Sequence, residues 1–258
     1  MNAFTKIIGT AFIAASVAVM SAGVVVAEEL DAIKEKGVLR IAMSGAYPPF
    51  NFVNEKNEVV GFDAAIGTEI AKRMGLEAEI VTTAWDGIIG GLLANKYDAI
   101  VGSMSITEER SKVVDFVGPY YTTKRAIFTK AGSPITSVSQ LGDVTIGVTL
   151  GETHEQWANE QGYKVKTYKG LPELLLELEN GRVDAIIADS VAVILAAKES
   201  GRDLVALNDL ETEAVGAGIA IRQGNPMLKA EMQAALDAIQ ADGTYVEIAN
   251  EWVGGDIR

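Results

Sequence analysis

Cysteine is absent from all 258 residues, so the chain can build no disulfide framework, thiolate nucleophile or thiolate metal centre. Histidine occurs once, at His154; a Ser-His-Asp triad would have one possible base, and a multi-histidine metal site has none. Positive charge is scarce. The 22 Lys and Arg face 35 Asp and Glu, a net charge of −13, which excludes the basic surface that nucleic-acid phosphates demand. Long apolar runs are missing beyond residue 27. The whole chain is 48% hydrophobic, the composition of a soluble globular protein of one or two domains. No metal and no organic cofactor is expected.

One apolar run does stand at the start. MNAFTK carries Lys6, IIGTAFIAASVAVMSAGVVV follows, and Val25-Val26-Ala27 places small residues at the −3 and −1 positions of a cut before Glu28. Residues 1–27 therefore read as a cleaved secretory signal peptide. The run is long enough for a span of roughly 20 helical residues, but Gly9, Thr10, Ser16, Ser21 and Gly23 make it a poor anchor. No cysteine near the cut could carry a lipid. Cleavage removes Lys6 and leaves a more acidic chain, expected to be free in the periplasm with no direct membrane insertion.

Past the cut, strand-like and helix-like segments alternate: VLRIAM (38–43), GFDAAIGTEIAKRMG (61–75), EAEIVT (77–82), WDGIIGGLLANK (85–96) and YDAIVG (97–102). The order repeats as VTIGVTL (144–150), THEQWANEQ (153–161), KVKTYK (164–169), LPELLLELENG (171–181) and VDAIIAD (183–189). Short apolar strands separated by amphipathic helices specify open α/β sheets with crossover helices. Aligning Asp98 with Asp184 sets Lys96 against Arg182 and Ser103 against Asp189, an internal echo that favours two similar open-sheet lobes. Gly118-Pro119 interrupts the pattern between them. The expected division is lobe 1 from 28–121 plus 218–258 and lobe 2 from 126–213, joined by a two-crossing hinge near 121–126 and 213–218. A last helix is expected over 225–243, capped by Asn225, opened by Pro226 and stopped by Gly243.

In open parallel sheets, ligands sit beyond the carboxyl ends of the strands. YDAIVG reaches such an end and runs into Gly102, Ser103, Met104 and Ser105, where a ligand could approach the backbone and meet two hydroxyls. Thr107 is placed to cap the helix that follows. Arg110 lies close to the same mouth, its planar fork suited to a carboxylate or to pairing with neighbouring acids on a solvated face. In the second half, VDAIIAD ends in Asp189, an acid after a buried run, which would suit an ammonium group or merely cap the next helix. Thr149 stands just before the turn LGETHEQW (150–157), in which Glu152 precedes Thr153, and Thr153 at a helix start could hold a carboxylate or act as an ordinary cap. Tyr47 and Trp85 sit in loops after lobe 1 strands, either lids on a core or walls for a ligand. Together these residues supply a cation, an anion, hydroxyls, helix-end N–H groups and two rings, the set a zwitterionic α-amino acid needs.

Across nearly the whole mature chain the motifs GVLRIAMSGAYPPFNF, VGFDAAIGTEIAKRMG, WDGIIGGLLANKYDAIVGSMSITEERSKVVDFVGPYY, IGVTLGETHE, GRVDAIIAD and ADGTYVEIANEWVG resemble the periplasmic solute-binding proteins of polar amino-acid uptake systems, the family 3 binders of histidine, lysine–arginine–ornithine and glutamine. The resemblance implies a type II periplasmic binding protein fold, a monomer, and delivery of the captured amino acid to a membrane ABC permease. It implies further that Arg110 and Thr153 hold the ligand carboxylate, that Ser103, Ser105 and Asp189 hold its ammonium, and that Tyr47 and Trp85 flank its side chain. Two positions depart from the family pattern. Ser44 stands where many members carry an acid toward the ligand side chain, and Glu152 replaces the small hydroxyl residue beside Thr153. Losing the acid at 44 weakens a basic-ligand assignment, and Glu152 could restore it or face solvent. The expected ligand is cationic, arginine-, lysine- or ornithine-like, because of the Tyr47–Trp85 pair; glutamine-like, other neutral and opine ligands follow closely.

Cyclohexadienyl dehydratases resemble these binders too and would make the protein an enzyme, but they carry a glutamate three residues beyond the aspartate matched by Asp189, where this chain has Ala192. Elimination needs a general acid in the pocket, so no enzymatic activity is expected. A sensory role would require a separate partner to carry the signal through a membrane.

Overall fold

The computed structural model describes residues 29–258; the signal peptide expected over 1–27 lies outside them. Two five-stranded sheets form the frame of two lobes. In the first, the strands run in the order Glu77–Thr82, Val38–Met43, Ala99–Ser105, Val215–Arg222, Val114–Thr123. In the second the order is Lys164–Tyr168, Thr145–Thr149, Ala185–Asp189, Arg125–Lys130, Leu204–Ala206. Each sheet has three parallel neighbours followed by two antiparallel pairings. The plan is therefore repeated, and the sequence echo has a structural basis. Asp98 accepts the Arg40 backbone N–H at 2.9 Å, and Asp184 accepts that of Thr145 at 2.7 Å. In each lobe the acid ties the start of one parallel strand to its neighbour.

The helices form where apolar residues recur on one face. Phe62–Arg73 buries Phe62, Ile66 and Ile70, a spacing of four that lays one stripe on the sheet. Leu171–Glu179 buries Leu171, Leu174, Leu175 and Leu178 in the same way. A small antiparallel ribbon, Ala46–Tyr47, Asn51–Val53 and Val59–Val60, projects after the first strand and carries Tyr47 toward the second lobe.

Several boundaries differ from the sequence reading. The strand expected to stop at Gly102 continues to Ser105, because Val215–Arg222 pairs with it antiparallel out to Ala217–Ser105. Ser103 takes a φ of 60° where that pairing shifts register. The helix expected over 85–96 becomes a 3-10 turn, Trp85–Gly87, and a short helix, Ile88–Leu93. The single strand expected over 121–126 is two, Val114–Thr123 and Arg125–Lys130, broken at Lys124 where the chain passes between sheets. EAVGAG is strand from Val215 onward, so the return passage lies between Ala206 and Val215. A Cβ on Gly216 would come within 2.7 Å of Pro119, and one on Gly218 within 2.7 Å of Ile106. These residues are small for close packing. The last helix is Pro226–Ala241, followed by Thr244–Trp252; Asn225 uses its side-chain amide on the Arg222 and Gln223 carbonyls and gives no cap bond.

Candidate functional site

The two lobes meet around the strand ends. Gly170 lies so close to the ribbon that an added Cβ would stand 2.5 Å from the Ala46 carbonyl oxygen, and on Gly151 it would stand 2.8 Å from Asp86 Cα. Tyr47, Trp85, Gly102, Thr149, Glu152 and Gly170 border a central space of about 10 Å³, and beside it Arg110, Glu152 and Thr153 line a wider one of about 400 Å³. The lobes are closed.

Arg110 comes from the first lobe. Thr107 accepts the Arg110 backbone N–H at 3.2 Å and caps the four-residue helix Glu108–Ser111. That cap turns the guanidinium back to the strand end, where Nη1 donates to the Ser105 carbonyl at 3.1 Å and the Arg110 Cζ atom lies 5.7 Å from the Trp85 ring centroid. No other hydrogen bond engages the fork among the described residues. Burial lowers its pKa, opposed by the charges of Glu152, Asp189 and Glu109. Thr153 lines both the space beside Arg110 and the one beside Asp189, and Ser105 lines the second.

Asp189 ends its strand fully inside the second lobe's edge, but it is not unpaired. Tyr47 donates its hydroxyl to Oδ2 at 2.6 Å across the lobes, and His154 Nε2 stands 3.4 Å from Oδ1. Burial works to raise the Asp189 pKa, yet His154, Tyr47 and Arg125 outweigh it and the net shift is downward. His154, weighed in the sequence only as a triad base, is buried between charges. Arg125 Nε donates to its Nδ1 at 3.3 Å, which assigns the ring proton to Nε2, facing Asp189 and, at 3.8 Å, Glu152.

Glu152 faces inward. Burial raises its pKa to about 7, with His154 and Arg110 opposing and Asp189 reinforcing the rise. Among the described residues its carboxylate accepts no hydrogen bond, and no group of three or more His, Asp or Glu is arranged to hold a metal ion.

Other expected residues lie nearby with their side chains turned elsewhere. Ser103 gives its hydroxyl to Asp63 at 2.8 Å, and Ser44 gives its own to Asn51 at 2.9 Å. Met104 is wholly buried in a cluster with Trp85, Ile88 and Ile100, so it offers the cleft no side chain. Beneath Ser103 is a polar centre that the sequence reading missed. Asp63 accepts from Asn51 at 2.7 Å, Ser103 at 2.8 Å and Tyr120 at 2.6 Å, and burial raises its pKa to about 6 against those three bonds. Its sequence signal is weak, since an acid in a helix's first turn is ordinary.

Comparison with known proteins places this architecture. The L-cystine-binding protein TcyJ of Escherichia coli K12 is 32% identical over 232 residues, 88% of this chain and 87% of that protein. The ABC transporter arginine-binding protein 1 of the same strain is 35% identical over 219 residues, 83% of this chain and 90% of that protein. Among solved structures, the ancestral amino acid-binding protein AncCDT-1, a precursor of cyclohexadienyl dehydratase, superposes with a TM-score of 0.80 at 35% identity, over 87% of this chain and 99% of that one. No described helix is long and apolar enough to cross a membrane. The model of the bacterial extracellular solute-binding proteins, family 3, matches residues 39–255, and the chain belongs to that family.

Proposed function

We propose that this protein captures a free polar amino acid between its lobes outside the cytoplasm and delivers it to an ABC permease, without altering it chemically. The observation that carries this reading is electrostatic. The Arg110 guanidinium of one lobe and the Glu152 carboxylate of the other line one space, and Thr153 joins it to the neighbouring space lined by the buried Asp189, so a cation and two acids gather where the lobes meet. A dipolar ligand bridging them favours the closed form over the open one, as a shift of population requires. In this reading Arg110 and Thr153 take the carboxylate, Ser105 and Asp189 the ammonium, and Tyr47 and Trp85 flank the side chain; Ser103 acts through its backbone, its hydroxyl being held by Asp63.

The ligand is a cationic amino acid, in keeping with the arginine-binding relative and with two acids at the second lobe's edge. A dehydratase reading lacks its acid: Ala192 is completely buried in the helix Ser190–Ser200. Prephenate is expected to yield no phenylpyruvate.

A thermal-shift screen of the mature protein against the twenty amino acids plus ornithine, citrulline and opines tests the reading. A ligand at 100 times its dissociation constant should add about 2.7 kcal/mol of stability. Arg110→Glu should abolish that stabilisation, since the ligand carboxylate would lose its counter-charge and meet repulsion. Wild-type affinity in that variant would overturn the assignment of Arg110.

A further inference from the structure

The acid that the closed cleft leaves unanswered is Glu152. Asp189 already has the Tyr47 hydroxyl at 2.6 Å and His154 Nε2 at 3.4 Å, whereas Glu152 has that same His154 nitrogen only at 3.8 Å, beyond hydrogen-bond reach. The groups facing it come from both lobes. Arg110 and Glu109 stand on the short first-lobe helix, Lys169 borders the same central space, and Asp189 ends the neighbouring strand. His154 shares its helix with Glu155, which is committed to the Gly151 N–H at 2.7 Å, and Arg125 backs His154 from behind. In the reading above, a ligand carboxylate claims Arg110. Glu152 then loses that attraction, and the positive charge it can gain is one the ligand brings.

We propose that Glu152 pairs with a second positive group on the captured amino acid, and that capture of such a ligand expels a proton from the cleft while capture of a neutral isostere does not. The proposal rests on the amino-acid reading and deepens it. The step is simple in balance: the carboxylic O–H of the neutral Glu152 fraction breaks, its proton passes to buffer, and the carboxylate pairs with the ligand cation. Burial places the Glu152 pKa at about 7, and a paired cation lowers it. Relative to the closed, empty cleft, in which that burial exists, the release at about pH 7 is about half a proton, rising toward one near pH 6 and vanishing above about pH 8.5. By the same linkage, affinity for a dibasic ligand falls as the medium acidifies, by up to about tenfold per pH unit below 7.

Arginine and citrulline are matched in shape and differ in this one charge. Calorimetric titration of the mature protein with each, in phosphate and in Tris at the same pH, reads both affinity and protons. The expected result is arginine bound at least about tenfold tighter than citrulline, about 1.4 kcal/mol, with proton release for arginine alone. In Glu152→Gln the release should disappear and the two affinities converge, and Glu152→Asp should restore part of each. An unchanged arginine-to-citrulline ratio in Glu152→Gln, or proton uptake by the wild type with arginine, would overturn the proposal. Binding of citrulline or another neutral amino acid without arginine would defeat it and leave the amino-acid reading standing; failure of every amino acid would defeat both.

Discussion

Asp63 is the clearest case of a residue whose environment decides its chemistry. Three donors converge on its carboxylate, yet burial prevails and its pKa rises to about 6. A carboxyl whose folded pKa exceeds the unfolded value contributes stability fully present below the unfolded value of about 4 and lost as pH rises through 6. The difference, about two pKa units, corresponds to roughly 3 kcal/mol as an upper figure. Asparagine can imitate the neutral acid here, with its amide nitrogen toward the Tyr120 oxygen and its carbonyl accepting from Asn51 and Ser103. Urea denaturation of wild type and Asp63→Asn at pH 4 and at about pH 7.5 should therefore show the variant gaining on the wild type by up to that amount. An unchanged gap would mean that Asp63 titrates as an ordinary carboxyl.

At the scale of elements, the strand Ala99–Ser105 decides how much of the site reaches the ligand. Its antiparallel partner carries it past Gly102 and leaves Ser103 left-handed, at a φ of 60°, a conformation costly for residues with branched side chains. Ser103→Gly would relieve that strain while losing the bond to Asp63, and should cost no more than about 1 kcal/mol of stability. Ser103→Val keeps the unfavourable φ, deletes the bond and should cost about 2 kcal/mol or more by chemical denaturation. Equal losses would show that the backbone conformation is unimportant. The same strand marks the limit of legibility. Asp189 can be picked out because a charge at the end of a buried apolar run has few inexpensive places to go, and Arg110 because its planar fork follows close on the strand's mouth. The direction of the Ser103 hydroxyl depends on a register shift imposed by residues more than 100 positions later. Likewise, Tyr47 and Trp85 are legible as loop aromatics, but the hydrogen bond from Tyr47 to Asp189 exists only because two lobes, 142 residues apart in sequence, close on each other. Local pattern carries the elements and the poles of the site; long-range pairing decides which polar atoms are left to bind.

For the whole molecule, the decisive contact is where the lobes touch. Gly170 has a φ of −173°, extended backbone that any residue can adopt, so a side chain there strains nothing within its own lobe. The obstacle is across the cleft, where an added Cβ would stand 2.5 Å from the Ala46 oxygen and 2.6 Å from the Ala46 Cβ. Gly170→Val should thus hold the lobes apart without loosening either sheet. Small-angle scattering should then give a larger radius of gyration for the variant, with or without ligand. Affinity should fall at least about tenfold, since each binding event must work against a closed form that is about 1.4 kcal/mol or more less accessible. The unliganded melting temperature should change little, because no lobe core is disturbed. A variant that compacts with ligand as the wild type does would show that the Ala46–Gly170 approach yields easily, and that closure is governed instead by the Tyr47 bond to Asp189 and the charges around it.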